Sequence, residues 1–78
     1  KIGNERLTYY LQSGLIKATG PYVNQLFEGE WIFNRIDGSL WQIGHFKNNF
    51  KHGTWIRYKK DGTIEKEMLF HNNIEIKK

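Results

Sequence analysis

Three histidines, His45, His52 and His71, are the side chains best suited to bind a metal ion or move a proton near neutral pH. A metal site needs several convergent ligands, usually with carboxylate or thiolate partners. The chain has no cysteine, and His52 directly precedes a glycine, as is typical of a turn. We therefore expect structural histidines, with no metal ion and no cofactor.

The chain has two serines whose hydroxyl groups are candidate nucleophiles. Ser13 and Ser39 each lie beside a glycine. A serine nucleophile needs an adjacent base and a strained backbone elbow. A serine beside a turn glycine more often holds the turn through its hydroxyl. We expect that structural role for both residues.

Two pairs of glutamates could in principle perform acid–base catalysis. Glu28 and Glu30 are two positions apart, as are Glu65 and Glu67, so both members of a pair share one face of a strand. Catalytic carboxylates need environments that push their pKa values apart. Both pairs lie in polar runs, which favours a solvated face. The chain is therefore predicted not to be an enzyme, and a small nuclease that uses histidine and lysine is the least favoured alternative.

Aromatic and basic residues interleave in a way that favours binding. Tryptophan and arginine are enriched at the energetic centres of protein interfaces, and charges steer association. Trp41 is the best single candidate, because the residues that correspond to it elsewhere in the chain are polar. The predicted partner-binding residues are Trp31, Trp41, Trp55, Arg35, Arg57 and Lys59.

The charge distribution leaves a second binding class open. The net charge is +4, and residues 40–78 hold the whole excess, with eight basic and four acidic side chains. Basic residues among aromatic ones can bind nucleic acid by stacking and phosphate contacts. A nucleic-acid or anionic-membrane binding module is therefore the alternative to a protein-binding module, and its affinity should fall steeply with salt.

The elements that position these residues follow from an internal repeat, whose length we call one period. One period separates Gly14 from Gly38, and the same distance along the chain separates Gly38 from Gly62. A period of about 24 residues indicates stacked supersecondary units, each in contact with its neighbours. It predicts one domain over residues 1–78, with units at about 7–29, 30–53 and 54–78. The same period relates Gly20 with Gly44, Gly29 with Gly53, Trp31 with Trp55, Asp37 with Asp61, and Phe46 with Phe70.

Two kinds of turn alternate along the chain. Asp37-Gly38 and Asp61-Gly62 predict two-residue hairpin turns, and Asn24-Gln25, Asn48-Asn49 and Asn72-Asn73 predict a second kind. Runs rich in aromatic and β-branched residues lie between them. We therefore expect an all-β fold, an antiparallel meander of about six strands in three stacked hairpins. The strands are predicted near residues 6–11, 15–22, 30–35, 39–46, 54–59 and 63–70, with a short seventh at 74–77.

The alternation of side chains along the strands predicts the core. One parity of the second strand of each unit is apolar throughout. Both parities of the first strand carry large side chains, which favours packing on both of its sides. The predicted core stripe contains Ile16, Leu40, Ile64, Tyr22, Phe46 and Phe70, with Ala18 and Met68 between them.

This layout resembles the MORN-repeat variant family, in particular bacterial proteins described as YwqK-like antitoxin components. The family pattern is matched by Gly53-Thr-Trp55-Ile-Arg-Tyr58-Lys-Lys-Asp-Gly62, and the resemblance covers about residues 7–73. Asn34 stands where tyrosine is usual, Leu7 replaces the first tryptophan, and Met68 replaces a glycine. The resemblance implies a protein partner, specifically a toxin that the module neutralises.

The remaining expectations concern location and assembly. No apolar run approaches the roughly 20 residues needed to span a bilayer. The absence of cysteine fits a cytoplasmic protein, although the chain begins at Lys1, so a targeting segment could lie outside it. Unprotected sheet edges at 7–11 and 63–70 would permit a homodimer through an edge or a face.

Overall fold

The chain forms a single antiparallel sheet in a computed structural model that describes residues 5–77. The all-β prediction is confirmed: residues 5–77 contain nine strands and no helix. None of the described residues belongs to a helix long and apolar enough to cross a membrane. The strands are β1 (Arg6–Tyr10), β2 (Ile16–Val23), β3 (Leu26–Phe27), β4 (Gly29–Asn34), β5 (Leu40–Lys47), β6 (Phe50–Lys51), β7 (Gly53–Tyr58), β8 (Ile64–His71) and β9 (Ile74–Ile76).

The strands follow one another through the sheet in chain order. The path is β1-β2-β4-β5-β7-β8-β9, and every neighbouring pair is antiparallel. The two-residue strands β3 and β6 were not predicted, and they pair with the ends of β2 and β5. β9 pairs with Leu69–His71. The expectation of an unprotected edge over residues 63–70 is therefore wrong for residues 69 and 70.

The asparagine turns have the predicted backbone conformation. Both central residues have positive φ, at 51° and 66° for Asn24 and Gln25, and at 51° and 75° for Asn48 and Asn49. Positive φ at both centres defines the type I′ turn, which matches the twist of the flanking strands. These turns join β2 to β3, β5 to β6 and β8 to β9.

The glycine turns differ from the two-residue prediction. Gly38 N donates to Arg35 O at 2.8 Å, and Arg35 N donates to Ser39 O at 2.7 Å, which encloses a three-residue loop. Gly38 has φ +92°, whereas Asp37 is not among the residues with positive φ. This is a type I turn followed by a left-handed glycine. Asp37 favours it because its carboxylate accepts hydrogen bonds from Ser39.

A β-bulge interrupts each long hairpin at the same relative position. Phe33 pairs with Gln42 but Asn34 pairs with Leu40, so Trp41 has no cross-strand partner there. The same irregularity leaves out Lys17 in β2 and Glu65 in β8, which lie one period before and one period after Trp41. A bulge reverses the alternation of faces along the strand.

The core is built around two tryptophans rather than the predicted stripe. Trp31 and Trp55 are 0% and 1% exposed, and Ala18 and Met68 are also buried, as predicted. Tyr22, Phe46, Phe70 and Leu40 are only half-buried. Ile16 and Ile64 are exposed, so their assignment to the core is wrong. Both precede the bulge, where the alternation used for the prediction no longer holds.

Each core tryptophan lies over a glycine of the neighbouring strand. A Cβ added at Gly20 would overlap the Trp31 indole, and one at Gly44 would overlap the Trp55 indole. Met68 occupies the position one period after Gly44 and pairs with Trp55 across β7 and β8. The resulting sheet is one layer thick, with overall dimensions of 40 × 39 × 15 Å.

Candidate binding face

Aromatic rings form a continuous cluster along one face of the sheet, which we call the aromatic face. Phe27 stacks on Trp31 with ring centroids 4.4 Å apart, and Phe33 stacks on Trp55 at 5.6 Å. Phe46 lies edge-on to both tryptophans, at 6.0 and 5.2 Å. Offset and edge-to-face rings at these distances attract each other beyond their area burial. The cluster therefore stabilises the sheet and fixes the side chains at its rim.

Trp31 and Trp55 are not contact residues, contrary to the sequence prediction. Both indoles are completely covered. Their Nε1–H groups donate to the carbonyl oxygens of Pro21 and His45, each at 2.9 Å. A tryptophan whose ring and polar group are both satisfied internally offers no surface to a partner. The two residues belong to the core.

Trp41 remains accessible, and its surroundings differ from those expected. Its side chain is half-buried, and the Arg57 guanidinium lies over its ring at 5.1 Å. Arg57 Nε also donates to Gln42 Oε1 at 3.4 Å, and Arg57 and Gln42 are cross-strand partners. The bulge thus brings Trp41 against Arg57, whereas simple alternation would have placed it on the opposite face. This cation–π contact restrains the indole.

The other predicted basic residues lie at the glycine-turn end of the same strands. Arg35 Nη2 donates to Tyr58 O at 2.5 Å, while its buried Nε has no partner among the described residues. The Lys59 side chain is exposed, beside the turn that its backbone N–H closes by donating to Thr63 O. The structure therefore places Arg35, Arg57 and Lys59 at one end of the sheet, where Arg57 contacts Trp41.

Lys51 belongs to the aromatic face and was missed by the sequence analysis. Its Nζ lies 4.9 Å from the Trp55 ring and 4.8 Å from the Phe70 ring. Lys51 stands one period after Phe27, which stacks on Trp31. That spacing is the signal that would have predicted a cation over an aromatic ring at this position.

The histidines are only partly brought together. The rings of His52 and His71 have centroids 5.1 Å apart, and the buried Nδ1 of His52 has no partner among the described residues. Nδ1 of His45 lies 3.2 Å from Thr54 O. Within residues 5–77, no group of three or more His, Cys, Asp or Glu is placed to hold a metal ion. Two imidazoles alone fall short of the ligand set that zinc requires.

Ser39, Thr63 and two aspartates hold the glycine turns. Asp37 Oδ1 accepts from Ser39 N at 2.9 Å and from Ser39 Oγ at 2.6 Å, which confirms the turn role of Ser39. Thr63 donates to Asp61 in the same way, at 2.9 and 2.6 Å. These hydrogen bonds hold the pKa of both carboxyls below the ordinary value, and Lys60, 3.0 Å from Asp37, adds to the effect there.

No protein-family model matches the chain, and neither a curated protein nor a solved structure matches it. The fold class therefore rests on the sheet itself. The family resemblance stays a prediction carried by the residue pattern.

Proposed function

We propose that this chain is a non-catalytic binding module that engages a protein partner at the glycine-turn end of the sheet. The observation that carries the proposal is the half-buried Trp41 ring with the Arg57 guanidinium 5.1 Å from its centroid. An aromatic side chain that is already ordered loses little conformational freedom when a partner covers it. Tryptophan and arginine are also among the residues most enriched at interface centres.

The charges around Trp41 favour a partner with an acidic surface. Arg57 carries a positive charge against the Trp41 ring, the exposed Lys59 follows the same strand, and Arg35 hydrogen-bonds Tyr58 O at the end of that strand. Across residues 5–77, the single ion pair joins Lys60 to Asp37. The cations near Trp41 are therefore available to steer an acidic partner. The resemblance to antitoxin components makes a neutralised toxin the specific partner that we propose.

A non-enzymatic role is supported by the polar groups of the described residues. The serine hydroxyl at position 39 and the neighbouring carboxylate hydrogen-bond each other within a turn. His45, His52 and Glu28 line a shallow groove of about 520 Å³, but no three His, Cys, Asp or Glu side chains among residues 5–77 are placed to hold a metal ion. Catalysis would need a base oriented by a third group next to a nucleophile.

The test is a nuclease-treated pull-down from the source lysate at low and high salt. We expect one stoichiometric protein that stays bound at high salt, since an interface centred on an aromatic ring is less salt-sensitive than phosphate binding. Loss of all bound material at high salt, or dependence on nucleic acid or lipid, would instead support the charged-surface alternative.

A matched pair of variants then tests the assignment of Trp41. Trp41→Ala should weaken partner binding at least about tenfold, as expected of an interface hot spot, without unfolding the sheet. Ile74→Ala is the control, because Ile74 is 69% exposed beside the last asparagine turn, at the opposite ends of the strands. Equal affinities of the two variants would reject Trp41 as the anchor. If the partner is a toxin, co-expression should also restore the growth of cells that produce it.

A further inference from the structure

A second aromatic site lies at the other end of the aromatic face. It is a pocket of about 290 Å³, lined mostly by apolar atoms. Its lining residues are Tyr9, Lys17, Ala18, Phe27, Trp31 and Phe33. Trp31, at its base, is fully buried, and Tyr9, on its wall, is 45% exposed. The pocket is thus rigid below and open above.

The equivalent place in the next hairpin carries an indole side chain. Trp41 stands one period after Lys17, and both are the unpaired residues of their bulges. Arg57, over the Trp41 ring, stands one period after Phe33, a wall of the pocket. The second hairpin therefore supplies its own indole at the position where the first hairpin has Lys17. The volume of the pocket is sufficient for one aromatic side chain.

The charge at the pocket is also informative. Lys17 is exposed, and the ion pair between Lys60 and Asp37 is the only one in residues 5–77. An ammonium group beside an aromatic wall favours a ligand that carries a negative charge next to its ring. A flat ring alone would fill the pocket, and an adjacent carboxylate would pair with Lys17.

We propose that this pocket binds an aromatic side chain of a peptide, with a carboxylate of the same peptide placed against Lys17. The proposal deepens the protein-binding function proposed above and depends on it for the ligand being a peptide. It adds a second anchoring point to Trp41, at the first hairpin. The partner would then present an aromatic residue next to an acidic group.

Binding to the pocket can be tested without the partner. A failure of the pocket proposal can therefore be distinguished from a failure of the proposed function. The probe is N-acetyl-L-tryptophan, titrated into the full chain and followed by amide NMR shifts. We expect saturable shifts at Tyr9, Ala18 and Phe33, with a Kd of roughly 1 mM, as befits a single side chain. N-acetyl-L-tryptophanamide, which lacks the carboxylate, should bind about threefold to tenfold more weakly at low salt.

Two variants separate the cavity from the charge. Lys17→Trp should place an indole at the position that Trp41 occupies in the next hairpin, cover the pocket and abolish the shifts. Lys17→Gln should keep probe binding but remove the preference for the carboxylate over the amide. Glu65→Trp is the control, because Glu65 is the corresponding bulge residue of the third hairpin and does not line the pocket. It should leave probe binding unchanged.

Three results would overturn the proposal. The first is the absence of saturable shifts at about 10 mM probe, a concentration well above the expected Kd. The second is undiminished binding to a folded Lys17→Trp variant. The third is a set of shifts centred on Trp41 rather than on the pocket, which would assign the probe to the interface proposed above.

Discussion

Trp55 lies over Gly44 so closely that a Cβ added to the glycine would overlap the indole ring. Trp31 and Gly20 have the same relationship, at the same spacing along the chain. The glycine is required for the space above it, because neither Gly20 nor Gly44 has positive φ. The packing of neighbouring strands therefore depends on two missing side chains.

Gly44→Ala should be strongly destabilising. Overpacking in a closed core costs about 1–3 kcal/mol and sometimes more, and the atoms displaced here belong to a rigid buried ring. The control is Gly62→Ala, at a glycine with φ +93° and open space around it, which should cost about 1–2 kcal/mol through backbone strain alone. Urea unfolding of both variants measures the difference. A Gly44→Ala variant no less stable than Gly62→Ala would contradict the packing argument.

The buried and the accessible tryptophans should respond differently to substitution. Trp55→Ala removes a ring that is 1% exposed and a hydrogen bond of 2.9 Å, and should cost about 3–5 kcal/mol. Trp41→Ala removes a half-buried ring outside the core and should cost about 1 kcal/mol or less. Thermal unfolding monitored by circular dichroism would check both values. Similar losses of stability in the two variants would mean that Trp41 is a core residue.

Asn49 joins two consecutive hairpins through its side chain and backbone. Its Oδ1 accepts from Phe27 N at 2.6 Å, and its N–H donates to Phe27 O at 3.0 Å; Asn73 bonds Lys51 in the same way. Asn49→Gly keeps the positive φ but removes the acceptor, and should cost about 1 kcal/mol. Hydrogen exchange of the Phe27 amide should accelerate while that of Lys51 is unchanged. Asn49→Asp, which retains the acceptor, is the control; equal acceleration in both variants would refute the role of Oδ1.

Acid should weaken the glycine turns. The pKa values of Asp37 and Asp61 are lowered in the folded state, chiefly by hydrogen bonds from Ser39 and Thr63. A lowered pKa contributes stability above the unfolded carboxyl pKa of about 4, and that stability is lost as the pH falls through the folded values. The Asp37→Asn, Asp61→Asn double variant should therefore lose less stability than the unsubstituted chain as the pH falls below about 4. Parallel pH profiles from urea unfolding would exclude this coupling.

The sequence predicted the parts of the fold that depend on local chemistry. Asn24, Asn48 and Asn72 predicted their turns correctly, because asparagine tolerates positive φ better than other non-glycine residues. The predicted length of the glycine loops was wrong, because the Asp37 carboxylate accepts hydrogen bonds from Ser39 and thereby favours a loop one residue longer. That preference is a hydrogen bond between side chain and backbone, which the Asp-Gly pair alone does not reveal.

The candidate site was predicted less well, because it depends on contacts between strands. Trp55 has the residue type of an interface anchor, but its ring packs on Gly44 of the neighbouring strand. The bulge that turns Trp41 toward Arg57 has no residue signal of its own, since Lys17, Trp41 and Glu65 share no side-chain type. The contact of Trp55 with Gly44 and that of Trp41 with Arg57 both depend on how the strands pair, and the amino-acid sequence alone does not reveal that pairing.

The 15 Å thickness of the sheet also sets how the protein responds to temperature. Its accessible surface is 5704 Å², against roughly 5000 Å² expected for a folded chain of 9.3 kDa, so unfolding exposes slightly less new surface than is usual for this size. The heat capacity of unfolding should therefore lie below the usual value of about 12–15 cal/mol/K per residue. Scanning calorimetry should find a slightly flattened stability curve. A module of this shape would then lose stability somewhat more gradually on heating or cooling than a compact domain of equal length.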